Sequence, residues 1–191
     1  MLPQHMPQLL VVDLEATCDA DQRIARAAME IIEIGAVRVD LDSLEIVDRF
    51  QSHVRPAINP RLTAFCTGLT GITQEQVDAA PWFAEACAGY AAWLAASFDG
   101  PAWASWGNYD KGQFEQDCGR LALADPHAGL SHLNLKTVFA KALDIRSCGL
   151  AAAFRHLGQE MVGRHHCGLD DAVNIARLLA LAPAFAAEVR R

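Results

Sequence analysis

Asp13 and Glu15 are separated by one residue at the end of the apolar run Gln8–Leu14 (QLLVVDL). On an extended chain, residues two apart project to the same side. Two carboxylates held that close repel, and each tends to keep a proton unless a cation relieves the repulsion. Hard oxygen donors of this kind suit Mg²⁺ or Mn²⁺. The alternative is a solvated strand end. A second group is Trp106-Gly107-Asn108-Tyr109-Asp110, where Asp110 falls in the first turn of an expected helix. There it either complements the helix dipole or adds a third carboxylate to the same site. A third group is His165-His166-Cys167-Gly168-Leu169-Asp170-Asp171, a loop that runs into a helix. One Asp can cap that helix while the other binds a cation, with His166 leaning over the site from the loop. The alternative is an exposed His pair beside a capping Asp. Four carboxylates and one imidazole at the ends of separate elements are an improbable coincidence.

The elements that must position these groups are legible from the apolar pattern. Gln8–Leu14, Glu30–Val39 and Leu44–Val54 read as strands, with the polar loop 40–43 suited to a hairpin. Thr63–Thr73 reads as a short helix and a loop, and Thr73-Gln74-Glu75-Gln76 as a capping box into the next helix. Pro81–Phe98 is a long Ala-rich helix, Ala102–Trp106 a short buried strand, and Tyr109–Leu123 a helix. Ser131–Leu135 reads as a last short strand. Helices follow at Lys136–Leu143, Gly149–Leu157, Gly168–Leu181 and Pro183–Arg191. This order predicts an α/β fold, a mixed sheet with an antiparallel start, then parallel strands, and helices on both faces. Parallel first and fourth strands would bring their carboxyl ends to one sheet edge, where open α/β sheets bind ligands.

Composition narrows the function. The chain has 191 residues, 52% of them hydrophobic, and a net charge of −7. One domain spanning 1–191, with its core at about 8–181, is expected. A broadly basic nucleic-acid coat is excluded, so any contact with nucleic acid runs through a local cleft or bound cations. The six cysteines form no CxxC pair, which argues against a zinc ribbon. No basic leader and no apolar stretch of ~18 residues is seen, so a cytoplasmic protein with no membrane contact is expected.

The motifs VVDLEAT, SWGNYDKGQF and HHCGLDDAVNIARL resemble those of the DEDDh 3′→5′ exonucleases of the RNase H-like superfamily. VDLEATC, MEIIEIGAV, VRPAIN, FCTGLTGITQEQVDAA and HCGLDDAVNIARLL are similar to the Eri-1/histone-mRNA 3′ exonuclease branch, from about Gln8 to Leu181. The resemblance implies hydrolysis of RNA or single-stranded DNA from the 3′ end, releasing nucleoside 5′-monophosphates with two Mg²⁺ or Mn²⁺ ions. It implies that Asp13, Glu15, Asp110 and Asp171 are the metal ligands and His166 the general base, in preference to its neighbour His165. It also implies that Glu15, Ala16, Thr17, Trp106 and His166 meet the terminal nucleotide, with core packing the alternative for Trp106. Met29 is weighed for a nucleobase contact and against a plain core role. Arg23, Arg26, Arg55, Lys111 and Arg164 are weighed as residues that track the strand and against solvated surface charges. Asn108 departs from the Asp common at that position in relatives. Only about seven residues precede the first strand, so stem-loop specificity and a role in RNA interference are not expected. The competing readings are a non-catalytic interaction module and a nuclease that trims short oligonucleotides.

Overall fold

The computed structural model describes residues 8–21 and 23–191, so the lead-in 1–7 lies outside the described residues. Its five strands are β1 (Gln8–Ala16), β2 (Ile31–Asp40), β3 (Ile46–His53), β4 (Ala102–Ser105) and β5 (Ser131–Asn134). Its helices are α1 (Ala64–Thr70), α2 (Gln74–Ala79), α3 (Phe83–Ser97), α4 (Tyr109–Arg120), α5 (Leu135–Ala142), α6 (Leu150–His156), α7 (Gly168–Leu181) and α8 (Pro183–Val189). The sheet runs β3-β2-β1-β4-β5. β1 is antiparallel to β2, β2 is antiparallel to β3, and β1, β4 and β5 are parallel. The mixed sheet expected from the element order is the one observed. Element ends shift by one to three residues, as helix ends and strand ends do; Trp106, for instance, lies just past β4 and not within it.

β1 is central, with a neighbour on each side and helices on each face, which is why its apolar run is continuous instead of alternating. Leu9 and Val11 enter one core with Phe139, Phe154, Ile175 and Phe185, from α5, α6, α7 and α8. Leu10, Val12 and Leu14 enter the other with Phe83, Tyr90 and Phe114, from α3 and α4. β3 is an edge strand and alternates, with Asp48, Arg49 and Gln51 supplying polar groups along it. A register shift pairs Arg38 with Asp48 but Val39 with Ile46, leaving Val47 as the extra, exposed residue. That bulge lets Ile46 pack with the first core while Phe50 packs with the second. The capping box forms as the spacing predicts. Gln76 N–H donates to Thr73 Oγ1 at 3.2 Å, and Thr73 N–H donates to Gln76 Oε1 at 2.8 Å.

α7 crosses β1 and β2 at unusually short range. A methyl on Gly35 would lie 2.0 Å from the Gly168 carbonyl carbon, and one on Gly168 would lie 2.9 Å from the Asp13 carbonyl oxygen. The two glycines let the first turn of α7 rest directly on β2 and on β1, the strand that carries Asp13 and Glu15. Gly35→Ala has only backbone to push against, so it is expected to cost about 3 kcal/mol or more. Differential scanning calorimetry should show a Tm lower by roughly 6–12 °C. An unchanged Tm would mean that the close approach contributes nothing. Among the described residues, all six cysteines are free, and no single helix is long and apolar enough to cross a membrane.

Candidate active site

Parallel pairing of β1 with β4, Leu10 to Trp103 and Val11 to Ala104, puts their carboxyl ends at one sheet edge. A cavity of about 390 Å³ opens there, lined in part by Asp13, Glu15, Asp110, His165, His166 and Asp171. Asp13, Glu15 and Asp171 each present a carboxylate oxygen, and these oxygens lie within 4.8 Å of one another. Asp110 approaches from the first turn of α4, its Oδ1 accepting the Leu14 N–H at 3.0 Å. The first-turn position expected for Asp110 is found, and its partner is β1, the strand that carries Asp13 and Glu15.

Glu15, Asp110 and Asp171 are buried, and the cavity is strongly acidic. Burial pushes the Glu15 carboxyl up to about 8, with the charges of Glu33, Asp171 and Asp110 adding to the effect. Burial raises Asp110 to about 6 against the Leu14 N–H, which favours its ionised form. Burial, followed by the charges of Asp110 and Asp171, raises Asp13 well above the usual carboxylate range. Asp171 is raised by burial too, opposed by the His166 N–H and the His165 ring. Four convergent carboxyls that resist ionisation together are an all-oxygen donor set that could hold hard divalent cations.

The histidine loop is fixed at several points. Asn174 on α7 clamps Val162, accepting its N–H at 3.0 Å and donating to its carbonyl at 2.8 Å. The Arg164 N–H donates to Asp170 Oδ2 at 2.7 Å, and the Arg164 guanidinium donates to the Gly68 carbonyl at the end of α1. His166 sits at φ 63°, a left-handed conformation uncommon outside glycine. There its N–H donates to Asp171 Oδ2 at 2.9 Å. Its imidazole Nδ1 stands 4.0 Å from Glu15 Oε1. His165 Nδ1 is the ring nitrogen bonded to Asp171, at 2.9 and 3.1 Å from the two oxygens.

The exonuclease family model matches residues 10–179. Rat 3'-5' exoribonuclease 1 is 34% identical over 177 residues, covering 89% of this chain and 51% of that protein. Zebrafish (Danio rerio) ERI1 exoribonuclease 2 is 33% identical over 194 residues, 92% of this chain and 35% of that one. The nuclease domain of 3'hExo, a DEDDh family member whose crystal structure is bound to rAMP, superposes with a TM-score of 0.84. It is 32% identical and covers 92% of this chain and 90% of that domain. The chain belongs to the exonuclease family, in its DEDDh Eri-1-like branch. It spans about half the length of rat exoribonuclease 1 and about a third of the zebrafish protein.

As in the DEDDh pattern, Asp13, Glu15, Asp110 and Asp171 meet with His166 at one cavity. Ala16 and Met29 line it as well. Trp106 does two things at once: it lines the cavity, and it packs on Phe139 while donating Nε1–H to the Cys148 carbonyl at 3.0 Å. Thr17 is placed otherwise. It is buried, its Oγ1 accepts the Glu30 N–H at 3.0 Å, and its own N–H donates to the Glu30 carbonyl at 2.8 Å. It ties the ends of β1 and β2 together behind the site and is not among the residues that line the cavity. The basic residues weighed for tracking a strand make the following contacts. Arg23 pairs with Asp21, Arg55 lies over Trp82, Lys111 stands 3.8 Å from Glu115, and Arg164 caps α1. Arg26 lies over the Tyr109 ring at the cavity rim and also bonds Gln113.

Neither Asp170 nor Asp171 caps α7. The N-cap position is Cys167, without a side-chain cap, and Asp170 closes the loop on Arg164. The cap comes from Glu33 on β2, which lies outside the three carboxylate groups singled out in the sequence. Its Oε2 accepts the Gly168 N–H at 2.9 Å, and its Oε1 accepts from Gln51 Nε2 at 2.7 Å. Glu33 pairs directly with Glu15 across the ladder. It therefore ties the helix start that carries Asp171 to the strand pair that carries Asp13 and Glu15.

Proposed function

We propose that the protein is a metal-dependent 3′→5′ exonuclease acting on single-stranded 3′ ends, with RNA as its substrate and nucleoside 5′-monophosphates as its products. The observation that carries this reading is the convergence of Asp13, Glu15, Asp110 and Asp171 on one cavity beside His166. The RNA assignment draws on the relatives, which are named exoribonucleases, and on the rAMP held by the 3'hExo domain.

The donor set fits two divalent cations, Mg²⁺ or Mn²⁺, which when bound supply charge neutralisation at the scissile phosphate and Lewis acidity toward its oxygens. Asp13, Glu15 and Asp171 hold one side of that charge and Asp110 faces them. Once ionised, the crowded carboxylates would repel a phosphate, and cations that neutralise them remove that repulsion, so cation binding and substrate binding are linked. Glu15 also contacts the 3′-hydroxyl of the terminal nucleotide. Ala16 presents a methyl and no bulk where the chain must approach the sugar. His166 takes the proton from the attacking water: burial and the neighbouring His165 lower its pKa, so the imidazole is neutral and able to accept at pH 7.

The test is a 5′-labelled RNA and a matched DNA oligonucleotide incubated with Mg²⁺, Mn²⁺ or EDTA. The expected result is a ladder shortening from the 3′ end, with RNA faster than DNA and no products in EDTA. Hydrolysis that persists in EDTA, or products from internal cleavage, would overturn the proposal.

A further inference from the structure

His165 transfers no proton in the reaction above, yet it stands with His166 and Asp171 in a second donor set. We propose that His165, His166 and Asp171 form a nitrogen-rich cation site that takes Zn²⁺ in preference to Mg²⁺, and that filling it shuts the nuclease. A ring nitrogen from each histidine and an Asp171 oxygen lie within 4.8 Å of one another. In a tetrahedral zinc site with bonds of ~2.0–2.2 Å, donor atoms stand about 3.3–3.6 Å apart. His165 Nδ1 is already 2.9 Å from Asp171 Oδ2, so two of the three donors stand side by side. The two imidazoles lie face to face, centroids 4.0 Å apart and planes at 21°. Each is about 41% exposed, so an ion arriving from solvent meets both.

The frame around these donors is built before any ion arrives. The His166 N–H holds Asp171, Asn174 clamps Val162, and Arg164 ties the loop to Asp170 and to α1. Little ordering remains to be done on binding. The selectivity follows from ligand type. Imidazole nitrogen suits Zn²⁺, whereas Mg²⁺ demands oxygen ligands and gives up its waters reluctantly. The oxygen cluster of Asp13, Glu15 and Asp171 offers the hard donors that Mg²⁺ accepts.

Asp171 belongs to both sets. Zinc on the histidines therefore removes one carboxylate from the Mg²⁺ site and occupies the imidazole of His166. Zn²⁺ and Mg²⁺ compete through a shared ligand although their remaining donors differ. The inhibitory half of this inference rests on the nuclease reading; the binding half does not.

The test begins with the metal-free full chain and no substrate. Zn²⁺ is titrated in competition with a chromogenic chelator against wild type, His165→Ala and Asp13→Asn. One tight zinc per chain is expected. His165→Ala should weaken it by at least about 100-fold, and Asp13→Asn by less than about threefold. Co²⁺ should give visible absorption bands of a low-coordinate nitrogen–oxygen site in wild type and lose them in His165→Ala. Equal zinc affinity in wild type and His165→Ala, or a fall in Asp13→Asn as large as in His165→Ala, overturns the site. In the second arm, RNA hydrolysis at fixed Mg²⁺ is followed as Zn²⁺ rises, each variant scaled to its own zinc-free rate. The zinc concentration for half-inhibition should rise at least tenfold in His165→Ala; an unchanged value overturns the inhibitory role. Should no Mg²⁺-dependent hydrolysis occur at all, the nuclease reading falls, and the zinc titration still decides the site.

Discussion

Asp13→Asn is expected to lower kcat by at least about 10³-fold and, in the metal-free protein at pH 8, to raise Tm by at least about 5 °C. The two effects have one cause. Asp13 is packed among Asp110, Asp171, Glu15 and Glu33, and burial together with their charges raises its pKa. An acid whose pKa is higher in the folded state than in the unfolded chain favours folding below the unfolded pKa, about 3.9 for Asp. That contribution is lost as pH rises through the folded pKa. The same sign holds for Asp110, which moves up to about 6, and for Glu15, which moves up to about 8. The metal-free wild type should therefore lose stability from about pH 4 to about pH 8 as the cluster is forced to ionise. Asparagine has nearly the same shape and no charge, so the variant should be more stable at high pH and its Tm should fall less with pH.

The same logic fixes the response to cations. At pH 8, Mg²⁺ or Mn²⁺ replaces the missing protons and should raise the wild-type Tm by several degrees. At pH 5, where protons already hold the cluster, the rise should be small. Asp13→Asn should show a weak response at both. Scanning fluorimetry over a pH-by-metal grid reads all of this without substrate. A wild-type Tm rise from Mg²⁺ that is as large at pH 5 as at pH 8 would detach the cation from these carboxylates. An Asp13→Asn variant with wild-type turnover would remove Asp13 from the site.

The carboxylates were legible in the sequence because each sits at the end of an element whose apolar pattern is strong. β1 reads as a buried central strand from QLLVVDL, and Asp13 and Glu15 must then emerge at its carboxyl end on one side. The Thr73–Gln76 capping box was legible for a similar reason: it is a local device, and its partners are three residues apart. What the sequence hides is set by contacts between distant segments. Glu33 looks like one more residue of MEIIEIGAV. Its capping role depends on β1–β2 register and on an α7 start 135 residues away. The bulge at Val47 depends on pairing with β2, and the need for glycine at 35 depends on where α7 crosses. Thr17 follows the DLE motif in sequence, but strand closure turns it to Glu30. Asp170 and Asp171 look equivalent as caps until Arg164 takes the first of them.

His166→Ala is expected to lower kcat by about 10²–10⁴-fold with KM within about threefold of wild type, whereas His165→Ala should lose only a few-fold. The adjacent rings are chemically alike, and the loop distinguishes them. His165 Nδ1 is spent on Asp171, outside the Asp13–Glu15 side of the cluster. The left-handed backbone at His166 commits its N–H to Asp171 and leaves its ring free to lean toward Glu15, 4.0 Å away. In the proposed reaction that is the side from which water would approach a phosphate beside Glu15. Burial and the neighbouring His165 push the His166 pKa below its ordinary value, partly opposed by Asp171. Its basic form is therefore available at lower pH than for a free imidazole, whose pKa is ~6.5. The acidic limb of kcat/KM in wild type should lie below that value, and it should disappear in His166→Ala while surviving in His165→Ala. Equal loss of turnover in the two variants, or an acidic limb unchanged by His166→Ala, would take the proton transfer away from His166.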